Sequence, residues 1–258
     1  MTATSNRFVR GALASLLIST ALTPSPVAAE SALDPQAVQR LQDSMDFLAD
    51  QKTFSLETDT TIEVVLENGQ KLQFANAIEA TVQRPNRMHA ERLGELVNQE
   101  FFYDGETLTL HDGAAGFFAR LEAPDTLEGM LDFARDSLDI VAPAGDFIYS
   151  NAFELLMDGV NSAMYVGPGY VEGKVCDHLA FRNTASATDW QIWIERGDTP
   201  LPRRIVITST DLPNAPQFSV HFRDWELSPD VDADDFLFDA HDENVEIEFI
   251  VINAGGSQ

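Results

Sequence analysis

From Phe54 to Leu66 the chain alternates. Phe54, Leu56, Thr58, Thr60, Ile62, Val64 and Leu66 fall on one side, and Ser55, Glu57, Asp59, Thr61 and Glu63 on the other. Successive strand side chains point to opposite faces, so this predicts a strand of about 13 residues with one buried face, against a usual ~5–6. Asn68-Gly69 is a strong hairpin signal, and Leu72, Phe74, Ile78, Ala80 and Val82 line the return strand. Shorter units follow. Arg87–Glu91 and Leu96–Tyr103 flank a turn at Gly94, Asp104-Gly105 leads into Thr107–His111, and Phe117–Glu122 comes next. These read as consecutive antiparallel strands.

Two stretches change period. Asp34-Pro35 caps a helix over Asp34–Asp50, with Val38, Leu41, Met45 and Leu48 at helical spacing. Asp125-Thr126-Leu127-Glu128 reads as a capping box before a stripe of Leu127, Met130, Leu131, Ala134 and Leu138. Pro143 and Gly145 break the chain, and Ile148, Ala152, Leu155 and Leu156 mark a second short helix. Strands resume at Met164–Val166, Tyr170–Arg182, Trp190–Glu195, Arg203–Ser209 and Phe218–Trp225, with Gly167-Pro168-Gly169 as a turn. About ten strands with few helices predict an α+β fold. Its large antiparallel sheet curves into an incomplete barrel, and the helices cover the concave face.

The N-terminus is read apart from this fold. Arg7 and Arg10 precede an apolar Gly11–Leu22, shorter than the ~20 residues of a membrane span, and Val27-Ala28-Ala29 supplies small residues for cleavage. Residues 1–29 are therefore expected to be a signal peptide. Residues 30–258 are expected to form one exported periplasmic domain with no membrane anchor after cleavage.

Charge narrows the partners. Two of the 16 Lys+Arg and none of the 42 Asp+Glu lie in residues 1–29, which leaves 14 against 42, a net charge of −28. Phosphate backbones and anionic membrane surfaces would be repelled, so nucleic acid is not an expected partner. Such charge favours a soluble monomer. A single cysteine allows no internal disulfide.

That cysteine sits in Cys176-Asp177-His178-Leu179-Ala180-Phe181-Arg182, followed by Asp189-Trp190-Gln191-Ile192-Trp193-Ile194. On a regular strand Cys176 and His178 share one face and Asp177 looks away, which rules out a triad within the segment. Three readings stay open. Cys176 and His178 could be two ligands of a metal site, but His89, His111, His221 and His241 show no ligand spacing to complete it. His178 could activate Cys176 as a nucleophile, without a nearby Gly-rich turn feeding a helix for an oxyanion hole. Or the segment is a polar strand pair, with Arg182 and Asp189 placed to pair across the loop base. No phosphate loop, G-x-S-x-G, H-E-x-x-H or dinucleotide fingerprint is present, so neither a cofactor nor an enzyme activity is expected.

Gly173–Arg182, Asp189–Ile194 and the Pro-Leu-Pro-Arg-Arg run at 200–204 resemble the signature of a family of predicted periplasmic proteins of unknown function, domain-of-unknown-function family 2092. The signature positions are Gly173, Cys176, Asp177, His178, Arg182, Asp189, Trp190, Trp193 and Pro202. The layout, including Phe101–Asp112, is also similar to the lipoprotein-carrier superfamily of LolA, LolB, LppX and RseB. That resemblance implies a half-barrel with a helical lid over an apolar cavity.

The expected function is then a carrier or sensor of an apolar ligand, such as a lipid or lipoprotein acyl chain. The expected cavity residues are Leu56, Ile62, Val64, Phe74, Ile78, Phe102, Leu108, Met130 and Leu131. A scaffold for an envelope protein partner, or an enzyme centred on Cys176 and His178, are the alternatives.

Overall fold

The computed structural model describes residues 32–95, 97–140 and 144–249. The expected signal peptide lies outside the described residues. Among them no helix is long and apolar enough to cross a membrane.

Six strands come first: β1 (Thr53–Val65), β2 (Lys71–Gln83), β3 (Arg87–Gly94), β4 (Asn98–Tyr103), β5 (Thr107–Asp112) and β6 (Phe117–Glu122). After a helical section come β7 (Ser162–Val171), β8 (Lys174–Asn183), β9 (Thr188–Glu195), β10 (Pro202–Ser209), β11 (Gln217–Leu227) and the two-residue β12 (Val245–Glu246). They join in one open sheet of order β12-β6-β5-β4-β3-β2-β1-β11-β10-β9-β8-β7. Every pairing is antiparallel except β12 on β6. The long β1 pairs with β2 along its full length and with β11 on its other side, joining the two halves of the sheet.

The sheet is curved. Residues of β11, β1, β2, β3, β4 and β5 line one cavity together. Laid flat, those six strands would span about 24 Å at ~4.8 Å per spacing.

The concave face carries the helices. α1 (Pro35–Ala49) begins at Asp34, whose side chain accepts Gln36 N at 2.9 Å, and Pro35 occupies its first turn. Its buried side holds Ala37, Leu41, Met45 and Leu48 against the β7–β9 end of the sheet. Burying Leu41, Met45 and Leu48 contributes about 1.5–3 kcal/mol each. α2 (Leu127–Leu138) buries its whole predicted stripe over the other half. A 3-10 turn at Gly145–Ile148 and the short α3 (Ala152–Met157) connect it to β7.

Three local expectations are corrected. Tyr170–Arg182 is not one strand: Glu172 (φ 48°) and Gly173 (φ 81°) form a tight hairpin turn between β7 and β8. Two consecutive positive φ values match the right-handed twist of the flanking strands. Gly167-Pro168-Gly169 is no turn but part of β7, where the register slips between Tyr165 and Gly167. β7 is the edge strand, where a proline and a bulge are tolerated. The capping box does not close as expected. Thr126 is the cap, accepting Gly129 N at 3.1 Å, while Glu128 instead receives Ser150 N at 3.2 Å.

Candidate functional site

Register arranges the concave face in rows that cross the strands. The deepest row is Phe54, Val82, Met88, Tyr103 and Leu108, all buried. The next is Leu56, Ala80, Ala90 and Phe101, then Thr58, Ile78, Arg92 and Gln99, then Thr60, Asn76 and Gly94. Small side chains at Ala80 and Ala90 leave space beneath α2. The result is a cavity of about 100 Å³ between the sheet, α2 and the Gly145–Ile148 turn.

Most of its wall is apolar, and Thr58 and Arg92 are the polar side chains among the described lining residues, Trp225 Nε1 being turned away to Pro202 O at 2.9 Å. Arg92 Nε makes a long 3.4 Å contact with Asn76 Oδ1. Burial lowers the pKa of its guanidinium from the ordinary value. The Thr58 and Thr60 hydroxyls are buried with no hydrogen-bond partner among the described residues.

Of the expected cavity residues, Leu56, Ile78, Leu108, Met130 and Leu131 line this space. Ile62, Val64 and Phe74 lie outside it. Ile62 pairs with Phe74 farther along the hairpin, beyond the cover of α2, and Ile62 and Val64 are exposed. Phe102 is on the convex face, stacked on His89 at 4.3 Å and against Phe238. Arg92, Ala90, Phe101, Phe147, Phe222 and Trp225 line the cavity without having been expected. The Met88, Ala90, Arg92 alternation before Gly94 is the signal that reaches the first two.

The signature segment sits away from the cavity, on β8 and β9. Alternation holds. Cys176 and His178 face the convex side, and Asp177 faces inward with buried Leu179 and Phe181. Cys176 is fully buried, its Sγ 3.7 Å from Lys174 O, and burial beside Glu195 raises its thiol pKa. His178 engages other partners: Nε2 donates to Gln191 Oε1 at 3.0 Å and the ring stacks on Trp193 at 4.1 Å. Arg204 covers Trp193 at 5.0 Å. Gly169 on β7 admits this stack, because a Cβ there would sit 3.0 Å from the Trp193 ring. Arg182 and Asp189 pair across the loop base through two 2.6 Å bonds. Trp190 stacks on Phe181 at 4.0 Å, and Pro202 is buried where β10 slips register. Gly173 serves the β7–β8 turn. Among the described residues no group of three His, Cys, Asp or Glu is placed to hold a metal ion.

Similar solved structures include LprF from Mycobacterium bovis, with a TM-score of 0.47 and 14% identity over 77% of this chain and 96% of that one. Another is the lipoprotein LppX from Mycobacterium tuberculosis, at 0.44 and 12% over 77% and 100%. A third is a LolA superfamily protein from Nitrosomonas europaea, at 0.35 and 9% over 78% and 97%. No curated protein matches the sequence. Residues 37–250, which contain the signature strands and the cavity, match one family model, and the chain belongs to that family, described as predicted periplasmic protein (DUF2092).

Proposed function

We propose that this domain binds an apolar chain, a lipid or lipoprotein acyl group, between the sheet and α2 as a carrier or sensor. Residues 1–29 are its export signal in this reading. The carrying observation is the cavity itself, an apolar space left by Ala80 and Ala90 under a single amphipathic helix. Each methylene buried there would contribute about 0.8 kcal/mol. At about 100 Å³ it is smaller than a ~150 Å³ cavity that takes benzene, so a long chain requires α2 to move outward. The reading is of a binding protein and not an enzyme, since Cys176 and His178 are engaged with different partners.

Native mass spectrometry with lipid extraction, and titration with a fluorescent fatty-acyl probe, test it. Co-purified lipid or saturable uptake is expected. A protein that carries no lipid and takes up no probe sinks the proposal.

A second reading, a scaffold for an envelope protein, is favoured by edge strand β7, which leaves Met164, Val166 and the 76% exposed Tyr170 uncovered. Under it, Tyr170→Glu abolishes partner binding while probe uptake stays intact.

A further inference from the structure

The cavity has a polar end. Along the strands its floor passes from Phe54 and Met88, through Leu56 and Ala90, to Thr58 and Arg92. We propose that the ligand is an anionic amphiphile, its carboxylate or phosphate head group held by Arg92 and Thr58 and its hydrocarbon chain running toward Phe54 and Met88. This rests on reading the cavity as a ligand site and adds the chemistry of the ligand.

Three observations carry it. First, Arg92 forms no ion pair among the described residues, in a chain where acidic residues outnumber basic ones 42 to 16. Its neighbours in the row are Ile78 and Gln99, and its one side-chain hydrogen bond among the described residues is the long contact to Asn76. A guanidinium stays charged and offers five N–H donors in a planar fork that matches carboxylate and phosphate oxygens.

Second, Thr58 is 3% exposed, lines the same cavity and has a hydroxyl with no hydrogen-bond partner among the described residues, and Thr60 beyond it is 1% exposed and equally orphaned there. Buried polar groups are normally satisfied, and a head-group oxygen would accept from Thr58. Third, the spacing suits one group bridging both. Thr58 and Arg92 are two strands apart in one row, about 10 Å between backbones, and the arginine side chain spans much of that.

The negative net charge disfavours small free anions. An alkyl chain that gains from burial overcomes this, so an anion with a tail fits where inorganic phosphate does not.

Calorimetric titration with dodecanoate, dodecyl phosphate and methyl dodecanoate tests the proposal. All three are used below their aggregation concentrations and at 0.15 M salt, where charges beyond ~8 Å are screened. At least one anion is expected to bind the purified protein about tenfold or more tightly than the ester, and the tighter anion names the head group. Arg92→Gln should remove that preference and leave the ester unchanged, and Thr58→Val should weaken only the anion. Equal affinity for anions and ester in the unaltered protein overturns the head-group site while leaving the cavity reading intact. So does an Arg92→Gln loss shared equally by all three ligands. If none of the three binds, the cavity reading itself fails and this proposal falls with it.

Discussion

Asp177, on the inward face of β8, receives Arg196 Nε on its Oδ1 at 2.6 Å. Tyr165 Oη of β7 donates to the same oxygen at 2.7 Å, and Arg40 of α1 approaches Oδ2 at 3.4 Å. One carboxylate therefore ties α1 and the β7 edge to the chain leaving β9. Asp177→Ala leaves Tyr165 without its acceptor, while both arginines, which are half exposed, turn to water. The expected loss is about 1–3 kcal/mol, with Asp177→Asn losing less because Tyr165 keeps an acceptor. Urea denaturation checks it, and a loss within about 0.5 kcal/mol for Asp177→Ala would count against the clamp.

His178 on the opposite face yields a pH prediction. Burial lowers the pKa of His178, His89 and His221 from the ordinary value, and Arg204 adds to the effect at His178 and His221. The unfolded chain thus takes up protons at these sites before the folded one does, as pH falls below ~6.5. Their contribution is full above that value and is lost as the pH falls through the folded midpoints. The melting temperature should fall between pH 7.5 and 5, a window in which most carboxylates stay ionised. Imidazole titration by NMR should place all three midpoints below 6.5, and a midpoint above it for His178 would contradict its burial beside Arg204.

Much of this was legible in the sequence, and the exceptions have physical causes. The β1–β2 hairpin could be read because its alternation is long and Asn68-Gly69 marks the turn. The face of Ile62, Val64 and Phe74 was legible too, but their depth depends on where α2 stops, which strand periodicity does not encode. Phe101 and Phe102 are adjacent apolar residues, so either could have faced inward, and only the register with Ala90 puts Phe101 in the cavity. Phe222 and Trp225 share a face despite odd spacing because Arg223 is bulged out of the β1–β11 ladder. Arg92 is not legible as a cavity residue because a charged side chain on a strand ordinarily faces solvent.

The convex face carries a row of like charges. Asp224, Glu57, Glu79, Glu91 and Glu100 lie directly opposite one another on five adjacent strands. Arg223 offsets the row at Glu57, 3.3 Å away, and His111 lies 3.6 Å from Glu100. Like charges facing across strands are destabilising by a few tenths of a kcal/mol per pair. Glu79→Gln, between two carboxylates, should therefore stabilise the fold by about 0.5 kcal/mol at low salt. The gain should shrink toward 1 M salt, where the Debye length is ~3 Å. A gain independent of salt would assign the effect to something other than repulsion.

Cys176 is expected to be inert. Its thiol is buried and its pKa is raised, first by burial and then by Glu195, so little thiolate forms near neutral pH. Iodoacetamide at pH 8 should label it rapidly in denaturant and at a rate limited by unfolding in buffer. Rapid native labelling would reopen the nucleophile reading.

The cavity exists because two of its floor positions are alanine, and filling one separates its uses. Ala90→Leu places added methylenes under Met130 and Leu131 on a wall that already faces empty space. In a packed core the same change costs about 1–3 kcal/mol through strain. Here it should be neutral or mildly stabilising, since filling a void restores lost contacts. The melting temperature should hold or rise while affinity for an acyl probe falls tenfold or more. A variant that keeps both its stability and full probe binding would put the ligand elsewhere. One that unfolds would show that the space collapses into a filled core in solution, because only a site with no room to give makes a leucine at 90 costly.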